Sequence, residues 1–202
     1  MIALKKIKLA ALLILIVVGS FFVYSWANKS QSKYTYNLNS QTVIKQIESL
    51  NRLETASFTI EKIIDVKTTG GPLADFLYGD RILLIAHGQV IAGFDMAKLN
   101  EDQVEIADKT VKMTLPAPEI LVNSIDNNQT RVYDRNQGLL TKGDANLESE
   151  ARKQAQAVIR DAACKGGILN EAEKNGRNQI TALLRSLGFE TIILDIPQGK
   201  CE

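Results

Sequence analysis

Residues 81–96 read RILLIAHGQVIAGFDM, and how this stretch is divided decides the fold. RILLIA (81–86) and QVIAGF (89–94) are both rich in β-branched and apolar residues, and His87-Gly88 stands between them. A pair ending in glycine supplies the positive φ that a two-residue turn requires, and histidine tolerates that region better than a β-branched residue does. The pattern therefore predicts a tight hairpin with His87-Gly88 at its bend. His87 is also the only histidine in 202 residues, so it is the first candidate for chemistry.

Working outward, residues 55–66 (TASFTIEKIIDV) alternate with a period of two. Ala56, Phe58, Ile60, Ile64 and Val66 share one face, with Lys62 the exception, as in a strand with one buried side. Thr68-Thr69-Gly70-Gly71-Pro72 breaks that strand, and LADFLYG (73–79) reads as a helical turn. Two further pairs follow. QVEI and TVKMTL flank Ala107-Asp108-Lys109, and EILVNSI and TRVYD flank Asp126-Asn127-Asn128. Pro116 and Pro118 lie between these pairs and suit a sheet edge or crossing. The middle of the chain is thus expected to be a mostly antiparallel sheet of roughly six or seven strands built from hairpins.

Helical spacing takes over after Gly143-Asp144. Leu147, Ala151, Ala155, Val158, Ile159 and Ala162 form one stripe, which Gly166-Gly167 ends in the manner of a left-handed cap. A second helix carries Ile180, Leu183, Leu184 and Leu187 before Gly188, and FETIILDI (189–196) reads as a final strand. Near the start, Val43, Ile44, Ile47 and Leu50 suggest a short helix with Ser40 as N-cap. Strands first and a helix pair later make the class α+β.

Residues 1–27 differ from all this. Lys5, Lys6 and Lys8 precede 19 uncharged residues, Leu9 to Ala27, with Tyr24 and Trp26 at the far end. As a helix this run measures about 28 Å, close to a bilayer's hydrocarbon core. The lysines favour a cytoplasmic N-terminus and the aromatic rings favour the headgroup region. The alternative is a cleaved signal: Ser25-Trp26-Ala27 has the small-x-small form, and cleavage after Ala27 would release a secreted protein. The apolar run is longer than a typical signal core, which favours the anchor. The organisation expected is a transmembrane anchor (1–27), a polar linker (28–40) and an extracytoplasmic α+β domain (41–202).

The whole chain has 24 basic and 23 acidic residues; without its first three lysines it has 21 basic against 23 acidic, a net charge of −2. A near-neutral domain gives no electrostatic case for nucleic acid. The partners expected are the bilayer, through residues 9–27, and an unidentified protein or a second copy of the chain.

Several ordered segments together resemble a known family. AHGQVIAGFDMAKL (86–99), TVKMTLPAPEIL (110–121), VYDRNQGLL (132–140) and the ending, in which a helix, Gly-Gly-Ile-Leu, a second helix and Leu-Gly-Phe follow in turn, are similar to the bacterial family called domain of unknown function 4230. The likeness covers about residues 45–197. It implies a single N-terminal membrane segment followed by this domain, and it carries no catalytic residue across.

Candidate chemistry is sparse. Asp80 and Asp95 lie near His87 in sequence, but at the open end of the expected hairpin they would be roughly 20 Å from its turn. No G-x-S-x-G elbow supplies a nucleophile. One histidine and two distant cysteines give no zinc spacing; Glu101-Asp102, Glu148 and Glu150 suit a solvated surface; Asp126-Asn127-Asn128 suits a turn better than a calcium loop. No glycine pair has the P-loop pattern, and no cofactor is expected. Charges around the 146–164 helix either solvate its outer face or meet a partner. Cys164 and Cys201 form an even pair in an exported domain, which favours a disulfide over one buried and one exposed thiol. The function expected is binding or scaffolding at the membrane. Its rivals are a hydrolase using His87 as base, and an assembly module resembling prohibitin-like scaffolds in architecture alone.

Overall fold

A computed structural model describes residues 51–68 and 70–201, together with Gly19, Ser20, Phe21, Tyr24, Lys45 and Ile47. Most of the expected anchor, the 28–40 linker and most of the first helix lie outside the described residues. Lys45 and Ile47 are helical, and Ile47 is fully buried. The chain divides into two compact units, Met1–Leu38 and Asn39–Glu202. Among the described residues no helix is long and apolar enough to cross a membrane.

The second unit is α+β. Strand β1 (Arg52–Lys67) is followed by helix α1 (Pro72–Tyr78) and strand β2 (Asp80–Asp95). Two short 3-10 turns lead to β3 (Val104–Ala107), β4 (Thr110–Thr114), β5 (Glu119–Ile125) and β6 (Arg131–Gln137). Helices α2 (Leu147–Lys165) and α3 (Ile168–Ser186) and strand β7 (Thr191–Asp195) complete it.

The opening stretch corrects the expected hairpin. RILLIAHGQVIAGFD lies within β2, a single 16-residue strand that pairs antiparallel with β1 along its length, from Arg52–Asp95 to Lys67–Arg81. Gly88 does not turn the chain; its φ is not among the positive ones. It lies under α2, where an added Cβ would sit 2.8 Å from Ile159 Cδ1 and 2.9 Å from the Ser124 carbonyl oxygen. The missing side chain makes room for a packed helix, the other reason for glycine inside a strand.

The third expected hairpin is corrected as well. β5 and β6 do not pair with each other. Both run antiparallel to β2 on the edge away from β1, β5 against Gly88–Gly93 and β6 against Asp80–Ile85. Asp126–Thr130 loops out where one stops and the other begins. The β3–β4 hairpin is as expected, with Asp108 at φ 52° in its turn. The final strand joins β4 in parallel, so the seven described strands form two sheets, β1-β2-β5/β6 and β3-β4-β7, rather than one. The Pro116–Pro118 segment crosses between them.

One face of the larger sheet carries the core. Ile82, Leu84, Ala86, Val90 and Ala92 of β2 meet Leu147, Ala151, Ala155, Ile159 and Ala163 of α2 and Ile168 and Ala172 of α3. The alanines let α2 lie close to the strands, and Gly176 does the same for α3: a Cβ there would come 2.1 Å from the ring of buried Phe94. Val158, Leu183 and Leu187, expected in the stripes, are only half-buried at their flanks. Between the helices Gly166 stays right-handed, and Gly167 takes the left-handed conformation (φ 81°).

Candidate functional site

Alternation along β2 places its even-numbered residues under the helices and its odd-numbered residues on the opposite face. His87 is odd, and its imidazole Nε2 lies 2.9 Å from Oε2 of Glu61, the residue directly across on β1. Asp80 and Asp95, its neighbours in sequence, are at the two ends of the strand and do not meet it. The main chain of His87 is held at the break between β5 and β6. Its N–H donates to Thr130 Oγ1 (3.1 Å), and its carbonyl accepts from Asp126 N–H (2.9 Å). The buried Thr130 hydroxyl thus stands in for a strand partner where none is available. A histidine oriented by a carboxylate is half of an acid–base arrangement. The hydrogen bonds described give the ring no hydroxyl or thiol to activate.

Asp126, Asn127 and Asn128 form the turn. Asn128 N–H and Gln129 N–H donate to Asp126 Oδ1, and the Gln129 amide donates to Oδ2 at 2.6 Å. These bonds, the Gln129 side chain first, hold the Asp126 carboxyl below its usual range. Its oxygens are committed to the loop. Among the described residues no group of three or more His, Cys, Asp and Glu could hold a metal ion. Glu148 pairs with Arg152 and Glu150 with Lys153 along α2.

Among the described residues the most buried charge is Asp80, whose side chain is 1% exposed. Arg135 of β6 donates to both its oxygens, Nε to Oδ1 (3.1 Å) and Nη2 to Oδ2 (2.6 Å), and Asp144 N–H donates to Oδ2 (2.7 Å). The Arg135 hydrogen bonds, reinforced by Asp144 N–H, hold the Asp80 carboxyl low against the opposing effect of burial, and they raise Arg135 in turn. Gly143 (φ 79°) passes close to this pair, where a Cβ would meet the Gln137 amide at 2.2 Å. The knot ties the segment after β6 to the start of β2.

Next to the knot, α1 and the turn after β6 join into an apolar tip. Gly138, Leu139 and Leu140 N–H groups donate to the carbonyls of Gly79, Phe76 and Leu77. Leu73 (74% exposed), Phe76 (63%), Tyr78 (59%), Leu139 (73%) and Leu140 (62%) all point away from the core. Phe76 and Leu139 share a groove of about 420 Å³ with Lys67, Arg81 and Asn136. The sequence places α1 but not its exposure: seven residues are too few to display a buried stripe, and Leu139-Leu140 lie in a loop with no period at all. A second groove, about 690 Å³ and more polar, lies between the start of β1 and the α2–α3 junction, lined by Ser57, Phe58, Asn170 and Lys174 among others. His87 lines neither groove.

The expected cysteine pair is present as a disulfide, with Cα atoms 6.1 Å apart. It fastens the tail beyond β7 to the last turn of α2. Gly199, in that tail, passes so close to Pro118 that a Cβ would fall 2.2 Å from its carbonyl oxygen.

Neither a curated protein nor a solved structure matches the chain. A family model does, over residues 45–194, from Lys45 through β7. That span takes in both sheets, the tip and the helix pair, so the ordered segments that suggested the resemblance fall within one match. The chain belongs to the family described as protein of unknown function (DUF4230).

Proposed function

We propose that the chain is a single-pass membrane protein whose α+β domain lies outside the cytoplasm and acts by binding or scaffolding. The observation that carries this reading is the Cys164–Cys201 disulfide, since such bonds persist in oxidising compartments and are rare in the cytosol. The uncharged run Leu9–Ala27 behind three lysines supports the same orientation. The polar groove between the start of β1 and the α2–α3 junction suits recognition of a partner. The test is alkaline carbonate extraction of membranes together with protease treatment of intact and lysed spheroplasts. The expected result is a carbonate-resistant protein that is cleaved in intact spheroplasts. Protection from protease until lysis overturns the orientation, and release by carbonate supports the secreted form cut after Ala27.

The His87–Glu61 contact favours one second reading, a hydrolase with His87 as base. His87→Asn separates the two. The binding role predicts an unchanged phenotype, whereas loss of phenotype in a folded H87N protein supports the hydrolase.

A further inference from the structure

We infer that the tip built from α1 and the Gly138–Thr141 turn is a second bilayer contact, inserting Leu73, Phe76, Leu139 and Leu140 into the membrane that holds residues 9–27. This deepens the proposed function and rests on its anchor.

The tip has the chemistry of an interfacial wedge. Its apolar side chains are leucine and phenylalanine, with Tyr78 adding a ring that favours the headgroup level. A segment entering lipid must satisfy its own backbone, because no water is there to do so. This one does so in part: the three N–H groups of 138–140 are bonded to the carbonyls of Gly79, Phe76 and Leu77 at the end of α1. Gly138 permits that closure, as a Cβ would lie 2.7 Å from the Leu77 carbonyl. Lys67 and Lys142, both exposed, flank the tip on long apolar stems that can keep their charges at the surface.

Area favours lipid over a second copy of the chain. Five side chains at these exposures present roughly 600 Å², short of the roughly 800 Å² per partner of a stable interface. A bilayer sets no such minimum and no matching outline.

The test uses the full-length chain in phosphatidylcholine vesicles with and without brominated acyl chains. Native Trp26, the only tryptophan, reports the anchor. A W26F/F76W variant reports the tip, and W26F/L139W repeats the measurement at a second position in case the first disturbs folding. The inference predicts that bromolipid quenches the native protein and at least one folded tip variant, with blue-shifted emission. Quenching of the native protein alone, with water-like emission from the tip variants, overturns the inference and leaves the anchor standing. Blue-shifted but unquenched tip emission overturns it in favour of a protein partner or second copy. Absence of quenching everywhere overturns the anchor and this inference together.

Discussion

Replacing Gly88 by Ala puts a methyl group into the contact between β2 and α2. That Cβ would lie 2.8 Å from Ile159 Cδ1, 3.1 Å from Ile159 Cγ2 and 2.9 Å from the Ser124 carbonyl oxygen. Ile159 is fully buried and cannot swing into solvent, and the Ser124 main chain is held by its pairing with Gln89. Overpacking of this kind costs about 1–3 kcal/mol. A cost of about 2 kcal/mol lowers the melting temperature of a chain this size by about 4–8 °C. Ile159→Val removes Cδ1 and alone costs about 0.5–1.5 kcal/mol. In the double variant the closest side-chain conflict is gone, so the two costs fall short of their sum by about 1 kcal/mol. Urea unfolding of the oxidised protein, followed by circular dichroism for both single variants and the double, measures this coupling. A turn glycine behaves differently: its replacement would act through φ and be indifferent to Ile159. Strict additivity, or no effect of Gly88→Ala, refutes the packing argument.

Two further predictions concern the Asp80 knot and the disulfide. Arg135→Met strands a carboxylate that is almost completely buried; breaking a buried pair costs about 3–5 kcal/mol, reduced to about 2–3 here because the Arg135 side chain is 32% exposed and water can take part of its place. Because folding lowers the Asp80 pKa, the knot's contribution is present above the ordinary value of 3.8 and is lost as pH falls through the folded value; urea midpoints of wild type and R135M should therefore differ most near neutrality and converge in acid. Replacing Cys164 and Cys201 by Ser frees a loop with a sequence separation of 37 and should lower stability by about 4 kcal/mol in the chain-entropy account, read as a lower denaturant midpoint.

The parts of the fold that local patterns specify were legible. The period of two in β1, the α2 and α3 stripes and the β3–β4 turn each depend on residues within a few positions of one another. His87-Gly88 was misread because a glycine after a polar residue looks the same whether it turns a chain or admits a helix side chain. Only Ile159, 71 residues later, distinguishes the cases. Asp126-Asn127-Asn128 makes a genuine turn, but whether its flanking strands pair with each other or share β2 depends on what lies beside them. The parallel pairing of β7 with β4 likewise has no local signal. His87 stands out in the sequence as its only histidine, yet its partner Glu61 emerges only from the β1–β2 register. The Asp65–Arg81 pair does not mark that register, because it is diagonal: Asp65 lies opposite Leu83, and Arg81 opposite Lys67. The apolar tip escaped notice because exposure is a property of what packs around a residue, and LADFLYG alone does not say.

The membrane-anchored, extracytoplasmic reading is tested most directly by one intact-mass measurement on protein extracted from membranes and alkylated without reduction. The expected mass includes residues 1–27, is lower by two hydrogens for the disulfide, and carries no alkyl group. A mass starting at Asn28, or one bearing two alkyl groups, would contradict it.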